Sequence, residues 1–377
     1  MLRIGERSVR PLVQGGMGVG VSARGLAGAV AREDCVGTVS SIDLRRLHPD
    51  LMRALGRSRD KRAIEEANLT ALRREIGAAR EISGGRGAIA VNVMRAVSQY
   101  AAYVRTACEA GADAIVAGAG LAMDLPELAG DWPRVALIPI VSEARAAALI
   151  VKRWQRRGRT PDAIVVEHPR YAGGHLGATR LEEVGDTRFD FERVLPEIRA
   201  ALHEAGLDAD AIPLIAAGGI NSPERARAAG RAGAAAVQVG TPFAVSAEGD
   251  AHPNFKRVLA GAKAEEIVVF MSVAGLPARA VKTPWLANYL EKEAVLKGRA
   301  KKRRECTLGW DCLAHCGLRD GLPAAGQFCI DHHLAAALRG DVDRGLFFRG
   351  SEPVPFGTEI RPVRDLVEYL LGCERLQ

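Results

Sequence analysis

Aromatic residues are scarce, at 5% of the chain. No apolar run approaches the roughly 18 residues that a membrane-spanning helix needs, which excludes a helical span. The N-terminus lacks a charged stretch followed by an apolar one. It therefore does not read as a signal peptide, and the cytoplasm is the expected location. A G-x-G-x-x-G fingerprint is also missing after the first apolar run: Gly15-Gly-Met-Gly-Val-Gly20 is out of register with it. An open dinucleotide-binding sheet normally carries that fingerprint, so the competing doubly wound architecture is disfavoured. The net charge is +7. The one dense basic cluster, Lys297, Arg299, Lys301, Lys302, Arg303 and Arg304, has no interleaved aromatics. It reads as a solvated junction, and no nucleic-acid partner is expected.

What is present is a rhythm. Eight short, nearly continuous apolar segments recur at Pro11–Gly16, Cys35–Ser41, Ala88–Met94, Ala114–Gly120, Ala136–Ser142, Ala163–Pro169, Pro213–Gly219 and Ala235–Thr241. Strands buried on both faces of a parallel sheet look like this. Helical stretches such as Val97–Ala110, Ala144–Arg157, Phe191–Ala205 and Pro223–Ala232 lie between them, and Ser222 ahead of Pro223 reads as a cap. Eight βα units in about 250 residues predict a (β/α)8 TIM barrel. A polar segment at about 45–80 is expected to be a helical insertion. Residues of about 243–300 are expected to form a further helical region. From about 301 to 377 the pattern changes to cysteine, glycine and charge, which predicts a small appendage after a 1–300 barrel.

In such a barrel the working residues stand at the C-terminal strand ends. Here those ends are small: Gln14-Gly-Gly-Met17, Asn92-Val-Met94, Gly118-Ala-Gly120, Ala217-Gly-Gly-Ile220 and Gln238-Val-Gly-Thr241. They leave room for a flat ligand. Gly218 and Gly219 before a helix start, with Gly240 and Thr241 on the next strand, match the phosphate site built after strands seven and eight. The sixth strand runs into Ala172-Gly-Gly-His-Leu-Gly177. Glycines on both sides of His175 let the backbone come close to a ligand. The imidazole is then a candidate proton donor or acceptor. His168, a lone histidine at a strand end, reads as structural.

These segments, with Ala90-Val-Asn-Val-Met94 and Val237-Gln-Val-Gly-Thr241, resemble the nitronate monooxygenase family, formerly called 2-nitropropane dioxygenase. That family includes FMN-dependent enoyl-ACP reductases. The resemblance covers roughly residues 8–290. It implies an FMN-binding TIM barrel, with Gln14, Gly15, Gly16 and Met17 against the isoalloxazine ring and Asn92 and Gln238 near it. It further implies that Gly173 and Gly174 approach the flavin, that Gly218, Gly219, Gly240 and Thr241 hold the phosphate, and that His175 is the catalytic residue. The implied reaction is oxidation of an alkyl nitronate by O2 to a carbonyl compound and nitrite. The alternative is an NAD(P)H-dependent flavin reductase of enoyl thioesters or quinones. The loop departs from the family at Pro169 and Tyr171, where many relatives carry a glycine and an acidic residue.

Seven cysteines are unevenly placed: Cys35 and Cys108 early, Cys373 at the end, and four between. Cys306, Cys312, Cys316 and Cys329 fall in one short segment, with His315, His332 and His333 nearby. In a cytosolic chain such a cluster suggests metal before disulfides. Zinc, a 4Fe–4S cluster and unligated packing cysteines all remain open. The C-x3-C-x12-C part resembles the cluster-binding segment of the dienoyl-CoA reductase and trimethylamine dehydrogenase group. A cluster would point to an electron-transfer protein as partner.

Overall fold

The computed structural model describes residues 1–372, and Cys373 lies outside them. Eight parallel strands close into a barrel: β1 Leu12–Gln14, β2 Val36–Ser40, β3 Ala88–Met94, β4 Ala114–Gly118, β5 Ala136–Val141, β6 Ile164–Glu167, β7 Leu214–Ala217 and β8 Ala236–Val239. Each pairs with its neighbours in sequence, and β8 returns to β1 with Val239 opposite Gln14. The chain is the (β/α)8 barrel that its apolar rhythm predicts. Among the described residues no helix is long and apolar enough to cross a membrane.

Side chains alternate across each strand. Val13, Val36, Ala90, Val116, Ile138, Val165 and Ile215 turn inward and pack as one cluster inside the barrel. Small and branched aliphatics suffice there, which is how a core with few aromatics is filled. An antiparallel hairpin, Leu2–Ile4 with Arg7–Val9, adds Leu2, Ile4 and Val9 to the same cluster.

The helical expectation at 45–80 resolves into a 3-10 turn at Leu44–Leu47, a helix at Pro49–Leu55 and a long helix at Lys61–Ser83. The long helix is no insertion. It packs along Arg24–Arg32 and leads directly into β3, so it is the outer helix of the second unit. Gly28 allows that contact, since a Cβ there would stand 2.6 Å from Ile82. Ser222 caps the helix Pro223–Arg231, accepting from the Arg225 N–H at 3.3 Å.

Residues 243–300 are not wholly helical. Helices Pro253–Gly261 and Pro284–Gly298 flank an antiparallel pair, Ile267–Met271 with Pro277–Val281. The β-branched run Ile267-Val-Val269 favours extended backbone. The short strand Gly174–His175 joins this pair as a third member.

The stretch from 301 onward does not stand apart as an appendage either. Trp310, Leu313, Phe328, Ile330 and Leu346 share one buried cluster with Val91, Val93 and Ile115 of the barrel. The last helix, Val363–Leu371, lays Val363, Leu366 and Val367 against Leu26 and Val30 of the first.

Candidate active site

A cavity of about 680 Å³ opens at the C-terminal end of the barrel, a size that suits a cofactor-sized ligand. Strand alternation builds its floor. Above the inner layer, each strand offers an inward residue: Gly15, Ser40, Asn92, Gly118, Ile140, Glu167, Ala217 and Gln238. All eight line the cavity. Gly16 has no room for a side chain, because a Cβ would meet the Asn92 Cβ at 2.2 Å. Asn92 donates to the Val116 carbonyl at 3.2 Å.

The structure gathers Gly15, Gly16, Met17, Asn92, Gly173, Gly174, His175, Gly218, Gly219, Gln238, Gly240 and Thr241 around this one cavity. Gln14 is the exception and corrects the expectation that it lies on the flavin ring. With Val13 and Gly15 facing inward, Gln14 must face outward. It is fully buried, accepts from the Thr38 N–H at 2.8 Å through Oε1, and donates to the Gly15 carbonyl. It therefore braces β1 against β2 beneath the site.

The roof comes from distant parts of the chain. The Gly174–His175 strand lies opposite Ala278 and Arg279 of the hairpin. Arg279 is buried and donates to the Pro169 carbonyl at 3.0 Å and to the Ala172 carbonyl, fixing both ends of the loop before His175. Gly173 serves less to approach a ligand than to admit another backbone. A Cβ there would lie 2.5 Å from the Arg349–Gly350 peptide. The His175 ring meets Phe348 edge-on at 5.6 Å. Its Nε2 is buried and makes no hydrogen bond among the described residues. Burial pulls the imidazole down to about 4, so the ring is neutral at physiological pH. An unpaired polar atom in a cavity wall is costly unless a ligand satisfies it.

Glu167 is the one ionisable side chain in the floor. Burial pushes its carboxyl up to about 7 against the opposing pull of Arg279. Sequence reasoning passed over this residue, although its two-residue spacing from Val165 was a readable signal. Arg279 and Arg349 carried no local signal, because hairpin and roof contacts alone bring them to the site.

At the end of β7, Gly218 and Gly219 take φ of +97° and +77°, a region that favours glycine. Thr241 Oγ1 accepts from the Gly350 N–H at 2.9 Å, and Tyr171 O accepts from the Ser351 N–H at 3.1 Å. Arg349 is buried beside them and lines the cavity, with Nε on the Leu259 carbonyl at 2.8 Å and Nη1 on the Gly350 carbonyl at 2.7 Å. No carboxylate among the described residues forms a salt bridge with it. His168 stays structural: it is buried, bonded to Asp190 at 3.0 Å and absent from the cavity wall. Tyr171 packs its Cβ over Gly219, where an added methyl group would come within 2.9 Å.

Cys306, Cys312, Cys316 and Cys329 are free thiols, none of them fully buried. Cys312 lines the cavity. Burial and then Asp331, Cys329, Cys316 and Cys306 push its thiol up, so the other three cysteines are its neighbours. The loop is tied to the end of β3 by Ser98 N–H on the Cys312 carbonyl and Ala314 N–H on the Ala96 carbonyl. Among the described residues no group of three or more His, Cys, Asp or Glu side chains is placed to hold a single metal ion.

The family model described as nitronate monooxygenase matches residues 6–372. The chain belongs to the nitronate monooxygenase family. It is therefore an FMN-dependent oxidoreductase. A probable nitronate monooxygenase from Bacillus subtilis (strain 168) is 31% identical over 123 residues, a stretch that spans 33% of this chain and 33% of that protein. FabK from Thermotoga maritima matches with a TM-score of 0.65 at 23% identity, over 96% of this chain and 91% of that one. Nitroalkane oxidase from Streptomyces ansochromogenes matches with a TM-score of 0.65 at 20% identity, over 96% and 94%. At those identities the structural neighbours share the fold.

Proposed function

We propose that this enzyme oxidises alkyl nitronates with O2 to a carbonyl compound and nitrite. The observation that carries the reading is His175. Its Nε2 has no hydrogen-bond partner among the described residues, and it stands in the wall of a cavity whose strand ends are lined by small residues. FMN, when bound, supplies the electron chemistry. Gly15, Gly16 and Met17 would lie along the ring, with Asn92 and Gln238 at its polar edge. Gly218, Gly219, Gly240 and Thr241 would hold the phosphate, and Arg349 would balance its charge. A neutral His175 orients the nitronate through a hydrogen bond to a nitro oxygen. The hairpin pairs with the strand of His175, and the 346–353 segment, a strap beside it, packs Phe348 edge-on against the ring. The B. subtilis relative, called a probable nitronate monooxygenase, and the nitroalkane oxidase neighbour support the reading.

A second reading, reduction of an enoyl thioester or quinone with electrons from NAD(P)H or a protein donor, is favoured by the cysteines beside the cavity. We propose Cys306, Cys312, Cys316 and Cys329 as ligands of an iron–sulfur cluster. Cys312 lines the cavity with the other three cysteines as its neighbours, and four cysteine thiolates are the usual ligand set of such a cluster.

The test is an anaerobic visible spectrum of the purified enzyme with NADH, NADPH and then propyl nitronate, alongside iron and acid-labile sulfide analysis. Flavin bleached by nitronate and not by NAD(P)H supports the oxidase. Bleaching by NAD(P)H alone moves the assignment to the reductase. Iron-free protein with intact flavin removes the cluster.

A further inference from the structure

We infer that the exposed basic rim around the cysteine loop is a docking surface for an acidic one-electron carrier protein, which delivers electrons toward the cavity from the Cys306 side. This rests on the second reading above, in which a protein donor supplies the electrons.

Folding assembles the rim. The cluster from Lys297 to Arg304 leads into Cys306, and a second basic stretch, Arg57 to Arg62, lies far from it in sequence. The structure joins them. A Cβ on Gly309 would stand 2.8 Å from the Arg59 Cα. Arg59 reaches Glu305 at 3.7 Å, and Lys61 reaches Asp311 at 2.9 Å. The Arg303 N–H donates to the Arg319 carbonyl at 2.8 Å, and the Arg319 side chain donates to the Leu313 carbonyl at 2.8 Å. Residues 57–62 and 297–305 together hold ten cations and two carboxylates, while the whole chain carries +7. The rest of the molecule is therefore close to neutral, and the positive field is concentrated here. Lys301, Lys302, Arg303 and Arg304 are exposed, and none of them forms a salt bridge among the described residues.

The rim borders apolar surface. Gly321 packs against the Lys301–Lys302 peptide, which sets Leu322 beside the two lysines. Leu322 is 42% exposed, and Val295, on the helix that leads into the cluster, is 53% exposed. Apolar contact bordered by charge of one sign suits a small, transient protein interface, where complementary charge steers the encounter. No aromatic side chain stands in 57–62, 295–305 or 321–324 to stack on a base, which favours an acidic protein over a nucleic acid.

The position relative to the cavity gives the partner its role. Cys306 follows the rim directly, and Cys312 lines the cavity. The loop between them runs from the docking surface to the wall of the site. Each encounter oxidises one reduced carrier by one electron. Two encounters, with two protons from solvent, supply what reduction of an enoyl C=C bond or of a quinone consumes.

The experiment uses the flavin-loaded enzyme without oxygen and a reduced plant-type 2Fe–2S ferredoxin as the acidic probe. Calorimetry reads complex formation, and stopped flow reads flavin bleaching. Methyl viologen, a small donor that needs no docking, is run in parallel. The combined substitution Lys301→Glu, Lys302→Glu and Arg303→Glu is expected to weaken the complex and slow bleaching by ferredoxin about tenfold or more. Bleaching by viologen should not change. Raising the salt from about 0.05 M to about 0.5 M should weaken the wild-type complex in the same way. Lys152→Glu with Arg156→Glu, where the helix after β5 ends at the opposite end of the barrel, should leave both readings alone. A triple variant within about twofold of wild type overturns the inference. So does a wild-type enzyme that forms no salt-sensitive complex with ferredoxin, or one that binds a DNA duplex more tightly at the same salt. Salt-sensitive docking by iron-free protein would remove the cluster and keep the surface. Iron-loaded protein that does not dock would remove the surface and keep the cluster.

Discussion

The floor of the cavity takes one residue from each of eight strands, while its roof includes residues 171–177, Leu276 of the hairpin and the 346–353 segment. The floor repeats one rule, alternation along a strand, and neighbouring strands hold it through continuous ladders. The roof hangs on a few long-range bonds: Arg279 to two loop carbonyls, Gly350 N–H to Thr241, and Ser351 N–H to Tyr171. The floor supplies shape and one carboxylate. The roof supplies the imidazole and the buried guanidinium. A stable, repetitive scaffold thus carries a site finished by segments that can vary independently of it.

The comparison can be tested by damaging one part at a time. The largest effect is expected in the roof. His175→Ala should lower kcat/KM for propyl nitronate by about 100-fold or more, with the bound-flavin spectrum retained, as steady-state kinetics would read. Turnover unchanged in that variant removes the role given to His175. Arg349→Met should weaken FMN binding by about 10- to 100-fold, the scale of a lost charge-assisted hydrogen bond, and fluorescence titration of the flavin reads it. An unaltered Kd would mean that the strap covers the phosphate end without contributing charge.

A variant in the scaffold beneath the floor should behave differently. Gln14→Leu strands the buried Thr38 N–H, which costs about 1–3 kcal/mol of stability in denaturant unfolding, while the Kd for FMN stays near wild type. A large loss of flavin affinity would restore Gln14 to the binding set.

The smallest effect concerns Glu167. Its folded carboxyl titrates at about 7 against an ordinary 4.5, so the folded state holds the proton more tightly across that window. Stability should therefore fall as pH rises from about 4.5 to 7. Thermal unfolding of flavin-free protein should show Glu167→Gln gaining more in Tm at pH 8 than at pH 5. An equal change at both would indicate that Glu167 is solvated. Such a cost to stability is what burying an ionisable group brings.

Much of the floor was legible beforehand, because a parallel strand buried on both faces announces itself as a short apolar run. The glycine pair at 218–219 and the loop around His175 were visible for the same reason: few residues can take those backbone shapes. The error at Gln14 was one of parity. A shift of one residue along a strand turns a side chain from the cavity to the far face, and neither composition nor motif marks which way it points. Lys61–Ser83 read as an insertion because a polar, amphipathic helix on the outer ring resembles one until its packing on Arg24–Arg32 is seen.

By itself the sequence determined the barrel, its strand order and its glycine-lined C-terminal end, since these follow from local periodicity and backbone permission. Only the tertiary structure decided that Arg279 and Arg349 reach the site, that the segment after 301 wraps into the core, and that Cys312 borders the cavity. It also decided the shifted pKa values of Glu167 and His175, because a pKa depends on the solvent and charges that surround a group after folding, and those are set by residues more than a hundred positions away.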